Sequence, residues 1–277
     1  MHRLWHGRHH LAGGLAAAAV SGAVMLGALS VADLTFVSSQ PAQIVTPTTD
    51  SGLPSAVRAA VAAIVAVQYD GSGASGVMLD SRTVVTAGHA LVGRAKPDCS
   101  IATIHGSGRT SSVIATGIQY GKGTDAAILT INAGMQLHIT TAELSAGGAR
   151  RGGTVYFANW QNRTDGAVRT SPAVFEGTVL ERQEGVYRIA VRNDAGYDVP
   201  ADRLLRPGGS GGGVFDMKGH LVGVSVSVDA ISASHSAGSL RQSYGVRLPA
   251  GWYQVSKAQV LDASLIAQLR RTATGCR

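Results

Sequence analysis

Ser210 sits in an unusual neighbourhood, Arg206-Pro207-Gly208-Gly209-Ser210-Gly211-Gly212-Gly213, with five glycines around one hydroxyl. Glycine lets backbone approach a ligand closely and turn through conformations that a side chain blocks. A serine hydroxyl is a weak nucleophile until a neighbouring base takes its proton. Three chemistries suit such a segment. A phosphate-binding loop needs a Lys-Ser/Thr pair after the glycines and then a helix, whereas Val214-Phe215-Asp216 and the strand-like Leu221 to Val228 follow here. A nucleophile elbow matches Gly208-x-Ser210-x-Gly212 literally, but it also needs a helix directly after the serine, then an acid and a histidine downstream. Only His220 and His235 lie downstream, each close behind the acid that precedes it. The third chemistry is a serine on a loop between strands, served by a base and an acid upstream, which is one of the known chain orders.

Upstream, the candidates narrow quickly. Four of the nine histidines, His2, His6, His9 and His10, fall in the first ten residues. His89 closes the strand-like run Thr83-Val84-Val85-Thr86 through a short Ala87-Gly88 turn, a setting that His105 and His138 lack. Asp98, Asp125, Asp165, Asp194, Asp198 and Asp202 lie between His89 and Ser210, and Asp125 alone heads a clear apolar strand, Ala126 to Ile131. A carboxylate at a rigid strand start can fix an imidazole, and an imidazole at a strand end can serve a serine.

These residues need a scaffold of strands. A chain that is 15% charged and 45% hydrophobic, with 36 glycines, suits a folded, turn-rich β protein rather than a disordered one. Short strand-like runs occur at 63–69, 76–80, 83–86, 101–105, 112–120 and 126–131. After Gly-Gly breaks at 147–148 and 152–153, a second set occupies 154–160, 173–182, 186–191, 213–216, 221–228 and 243–248. Two sets of six predict an all-β fold of two six-stranded antiparallel barrels, the first over about 57–148 and the second over about 149–256. Val260, Leu261, Leu265, Ile266 and Leu269 recur at helical spacing before Arg270-Arg271, which predicts a C-terminal α-helix over about 257–271.

The first 32 residues are of another kind. Arg3 and Arg8 precede a 22-residue uncharged run, Leu11 to Ala32, that ends in small residues. This is the pattern of an export signal, and the run is also long enough to span a bilayer as an uncleaved anchor. Either reading places the folded domain, expected over 57–277, outside the cytoplasm, secreted or tethered through residues 11–32. Residues 33–56, rich in Ser, Thr, Pro and Gln, read as a linker. The remainder keeps 22 of the 24 basic residues against 17 acidic ones without any basic block, so no nucleic-acid partner is expected. No metal-ligand set stands out and no cofactor is expected. Cys99 and Cys276 permit one disulfide in an exported chain, or two free thiols.

At these motifs the chain resembles the chymotrypsin-like serine peptidases, and within them the bacterial branch of glutamyl endopeptidases and HtrA protease domains, with no PDZ domain expected. Gly76 to Asp80 with Val85 to His89 is similar to the family's histidine motif, Gly123 to Leu129 to its aspartate motif, and Pro207 to Val214 with Gly219 to Val224 to its serine motif and following strand. Tyr244 to Pro249 resembles its last core strand. The resemblance implies a serine endopeptidase acting on protein or peptide substrates. Ser210 would be the nucleophile, His89 the base, Asp125 its orienting acid, and the backbone N–H groups of Gly208 and Ser210 the oxyanion hole. By family position the specificity pocket has its base near Leu204-Leu205 and its wall near Val226-Ser227-Val228. No acid stands there, so an apolar or small side chain is expected before the cut. Gly209 replaces the aspartate that pairs with a newly cut N-terminus in zymogen-activated relatives, and Ile64-Val65 is followed by Ala66-Val67 rather than a Gly pair. Activity without cleavage is therefore expected. A binding protein on the same fold, and an esterase using the same triad, are the competing functions.

Overall fold

Strand-forming Val, Ile and Thr residues recur through the chain in short runs, and Gly, Asp and Ser turns end each run before it can lengthen. The computed structural model describes residues 52–69, 72–91, 102–106, 112–131, 139–160, 172–192, 209–228 and 235–271. All lie within the unit Ala42–Arg277. Helix α1 (Ser55–Val61) leads into β1 (Ile64–Tyr69), β2 (Ser72–Asp80), β3 (Thr83–Ala87), β4 (Ala102–Gly106), β5 (Ser112–Tyr120) and β6 (Ala126–Ile131). These six strands close into an antiparallel barrel in the order β1-β2-β3-β6-β5-β4.

The second sheet comprises β7 (Thr154–Asn159), β8 (Ala173–Gln183), β9 (Val186–Arg192), β10 (Gly213–Asp216), β11 (Leu221–Val228), β12 (His235–Ser236) and β13 (Trp252–Val260). Its order is β11-β10-β7-β8-β9-β13-β12, and it curls until β11 also pairs with β13. Helix α2 (Ala237–Tyr244) lies between β12 and β13, and α3 (Ala263–Arg271) follows β13. The expected all-β architecture with a C-terminal helix is therefore present. One barrel is closed, and the other is a curled sheet that carries a two-residue seventh strand.

Each sheet has its own apolar interior. Val65, Met78, Val84, Ile104 and Leu129 fill the first. Val155, Phe157, Tyr187, Ile189, Val191 and Val214 fill the second. A third cluster joins them: Ile64, Val85 and Ile128 from the first barrel meet Ala158, Phe215 and Val224 from the second sheet under Leu265, Ile266 and Leu269 of α3. This explains why β6 reads as an unbroken apolar run. Ala127, Leu129 and Ile131 face the barrel interior, while Ala126 and Ile128 face the joint between the sheets.

Three local expectations are corrected. Residues 257–260, expected to begin the C-terminal helix, belong to β13. The helix starts at Ala263, where Asp262 Oδ1 accepts from the Leu265 N–H at 2.8 Å and caps it. Residues 243–248, expected as a strand, are instead the end of α2 and the segment after it. Gly245, at φ 66°, stops α2 in a left-handed cap, and β13 is the last strand. Helix α1 opens within the stretch read as linker and buries Val57 and Ala60. α1 and α2 have 7 and 8 residues, too short for a helical period to stand out in the sequence.

Candidate active site

Strand register brings His89 to Asp125. β3 and β6 are antiparallel neighbours with Ala87 opposite Ala126. The residue just before β6 therefore lies beside the residues just after β3, where Gly88–Ala90 make one 3-10 turn. That turn points the His89 N–H at Asp125 Oδ1, 2.7 Å away. The imidazole Nδ1 meets the other carboxylate oxygen, Oδ2, also at 2.7 Å. One carboxylate thus holds both the backbone and the ring of His89, which fixes the ring's orientation.

Ser210 arrives from the second sheet. Its Oγ is 3.0 Å from His89 Nε2. The loop that carries it makes a tight turn, in which the Gly212 N–H donates to the Gly209 carbonyl at 3.1 Å. Gly211 takes φ 85°, and a Cβ there would lie on the Ser75 carbonyl oxygen and Thr86 Oγ1. A Cβ on Gly212 would strike Ala158 and Asn159. The glycines are there because β2, β3 and β7 press against this loop, which leaves no room for a side chain. Strand β10, not a helix, follows the serine, which excludes the elbow geometry.

Two ionisable groups are shifted by this pairing. The hydrogen bond to Asp125 raises the His89 imidazole above the ordinary histidine range, against the opposing effect of burial and with help from the carboxylate charge. Burial pushes the Asp125 carboxyl up, but the hydrogen bonds from the His89 ring and backbone, together with the imidazole's charge and the Gly88 backbone, outweigh it and hold the group low. The outcome is a carboxylate that stays ionised beside an imidazole whose affinity for a proton is enhanced.

Three supporting residues were not evident in the sequence. The Ser75 N–H donates to the Ser210 carbonyl at 2.8 Å. Thr86 Oγ1 donates to the Ser75 carbonyl at 2.6 Å. Ser75 Oγ in turn accepts from the Trp160 N–H at 2.8 Å. Ser75 thereby ties the nucleophile's loop to β3 and to the residue after β7. Gln259, buried on β13, accepts from the Asp125 N–H through Oε1 at 3.1 Å and donates through Nε2 to the Gly185 carbonyl at 2.9 Å. A side chain of the second sheet therefore braces the acid of the first. Small polar residues and a lone glutamine give no periodic or motif signal, so only the fold reveals them.

Among the other expected residues, Val226 is buried in the cluster between the sheets, Ser227 is exposed, and Val228 ends β11. Gly208, Leu204, Leu205, Cys99, Cys276 and the run 11–32 lie outside the described residues. Among the described residues no group of His, Cys, Asp or Glu could hold a metal ion, and no helix is long and apolar enough to cross a membrane.

An imidazole held between a carboxylate and a serine hydroxyl, where two β-barrel-like sheets meet, defines the class of chymotrypsin-like serine proteases. The trypsin-like peptidase domain family matches residues 74–224, more than half of the chain, and the chain belongs to that family. Among solved structures it is similar to the active form of the Rv3671c protease from M. tuberculosis, at 17% identity and a TM-score of 0.54 over 81% of this chain and 86% of that one. It is also similar to the serine endoprotease from Yersinia pestis, at 16% identity and a TM-score of 0.51 over 78% of this chain and 64% of that one. No curated protein matches it.

Proposed function

We propose that the chain is a serine endopeptidase that hydrolyses peptide bonds through Ser210, His89 and Asp125. The observation that carries this reading is the unbroken run of hydrogen-bonding contacts from Asp125 Oδ2 through the His89 ring to Ser210 Oγ, at 2.7 and 3.0 Å. Ser210 Oγ attacks the scissile carbonyl while His89 Nε2 takes its proton, and the protonated ring then gives that proton to the leaving amine. Water repeats the sequence on the acyl-enzyme and frees the serine. Asp125 keeps the proton of the resting ring on Nδ1, so that Nε2 faces the serine as an acceptor, and it stabilises the imidazolium that forms. The backbone N–H groups of Gly208 and Ser210 serve as donors to the oxyanion.

The basic start and apolar run of residues 1–32 support action outside the cytoplasm, with the domain secreted or tethered. With Gly209 beside the nucleophile, no aspartate is present to pair with a freshly cut N-terminus, so the enzyme is active with residues 33–60 intact. Peptide and ester substrates of matched sequence, offered to wild type and to Ser210→Ala, test the reading. Peptide turnover that the substitution abolishes supports it. Ester turnover alone assigns an esterase, and turnover that survives Ser210→Ala refutes the triad.

A further inference from the structure

Helix α3 has more apolar surface than its core contacts use. Leu265 and Leu269 pack into the joint between the sheets. Ala263, Ile266, Ala267 and Arg270 follow the i, i+3, i+4, i+7 spacing of one face, and Ala263 and Ala267 are exposed. Across a gap from this face stand Leu79, near the end of β2, and Ala142 and Leu144, in the segment between β6 and β7. The gap stays open because α3 offers only the methyl groups of Ala263 and Ala267 there. It forms a cavity of about 450 Å³ with Arg270 and Arg271 at one end.

The wall opposite α3 is held in place. The Ala142 N–H donates to the Met78 carbonyl at 2.8 Å, which ties the segment to β2. Leu144 pairs with Leu221 of β11, whose N–H donates to the Glu143 carbonyl at 2.7 Å and whose carbonyl accepts from the Ser145 N–H at 2.9 Å. The cavity is therefore formed before any ligand arrives, at a size within the roughly 300–1,000 Å³ usual for small-molecule sites. Its lining side chains are aliphatic except for the two arginines. Arg270 pairs with Asp80 at 2.7 Å, and Arg271 has no ion-pair partner among the described residues. Two neighbouring acids are engaged elsewhere: Glu143 lies 3.9 Å from His220 Nε2, and Asp262 caps α3. Two cations against one carboxylate leave one positive charge at the end of an apolar trough. A cation suits the C-terminus of a helix, but the helix dipole does not account for the cavity beside it.

We propose that this cavity binds a straight-chain fatty acid as its carboxylate, with the head group on Arg271 and the chain laid along Ala267, Ile266 and Ala263. Ala263 to Arg270 spans about 10 Å at the helical rise, room for an extended chain of roughly eight carbons. Guanidinium is well matched to a carboxylate, and an alkyl chain has no polar group to satisfy against aliphatic walls. A peptide fits less well, because its N–H and C=O groups would meet those walls without partners. None of the lining residues belongs to the triad or to the residues expected to receive substrate, so the site does not depend on the peptidase reading.

The test uses the full chain and the sodium salts of straight-chain acids from butanoate to tetradecanoate, each below its micelle concentration, with binding read by calorimetry. We expect one site per chain. Affinity should rise about threefold for each added methylene and level off at roughly eight to ten carbons, where the chain outgrows the cavity. 1-Octanol should bind at least about tenfold more weakly than octanoate. Arg271→Gln should bring octanoate to within about twofold of octanol, and Ala267→Trp, which fills the trough, should abolish binding of both. Ala267 and Arg271 are exposed, so both variants should fold, and thermal midpoints near that of the parent check this. Affinity that climbs without levelling off, or that survives both substitutions, would mark unselective uptake on an apolar stretch such as residues 11–32 and would overturn the proposal. Octanol that binds as tightly as octanoate, or no binding of any acid, would overturn it too. Binding that appears only once residues 272–277 are deleted would make that segment the occupant, and binding that weakens as chain concentration rises would make a second copy the occupant; either result overturns the fatty-acid assignment.

Discussion

The two halves of the site are built on opposite principles. His89 and Asp125 belong to the first barrel, where the β3–β6 ladder, with Ala87 opposite Ala126, sets one beside the other. Ser210 belongs to the second sheet but to none of its strands. It is placed by a turn that exists because Gly211 and Gly212 have no side chains, and by backbone hydrogen bonds to Ser75 and Ser225. The acid–base pair is thus a product of strand register and should tolerate many changes around it. The nucleophile is a product of missing atoms and should tolerate almost none. Gln259 and Ser75 tie the two halves together, one from each sheet.

The largest effect should come from removing the charge within the first half. In Asp125→Asn the register survives but the tautomer does not, and kcat should fall by about 10⁴, as in the reference triad. The base works only when neutral, so activity falls as pH drops through the His89 pKa. Asp125 raises that pKa, so the acid limb of kcat/KM should lie above the ordinary imidazole range in wild type and move down in Asp125→Asn. An acid limb that stays in place would show that the pair is not coupled.

A single methyl should break the second half. Gly211→Ala must adopt φ 85° and overlap Ser75 and Thr86. We expect a loss of roughly 100-fold in activity, since the methyl overlaps Thr86 and the Ala87 backbone nitrogen as well as Ser75. A near-normal rate would show that the loop relaxes easily and that the contrast between the halves is overstated.

The bridge comes next. Gln259→Leu leaves the Asp125 N–H without its partner, at a cost of about 1–3 kcal/mol if that group stays dry, while the Gly185 carbonyl keeps the Val260 N–H at 2.8 Å. The thermal midpoint should fall, with a several-fold drop in kcat and little change in KM. An unchanged kcat would confine Gln259 to stability. The smallest effect belongs to Arg270→Ala. It breaks a 2.7 Å ion pair between α3 and Asp80 whose side chains are both exposed, so stability should change by no more than about 1 kcal/mol, measured by denaturant titration.

The same contrast explains what could be read from the sequence. β3, β5, β6, β10 and β11 follow from local runs of strand-forming residues between turn signals, and His89, Asp125 and Ser210 from the punctuation at their ends. Features that arise only when distant segments meet left no local signal. Ser75 and Gln259 are unremarkable in the sequence and acquire partners 85 and 134 residues away. α2 has one buried apolar residue, Leu240, and a serine cap, too little for a helical period. β13 and α3 run together in the sequence because Val260 and Leu261 continue the apolar spacing of the helix, and Asp262, whose carboxylate caps α3, divides them only in the fold.

The account stands or falls on whether Ser210 is activated by His89 in the uncleaved chain. The direct measurement is mass spectrometry of the protein, residues 33–60 intact, after exposure to a fluorophosphonate. The account predicts a phosphonyl adduct on Ser210 in wild type, and none in His89→Ala or Ser210→Ala. A folded wild-type chain that stays unmodified, or an adduct that forms equally well in His89→Ala, would contradict it.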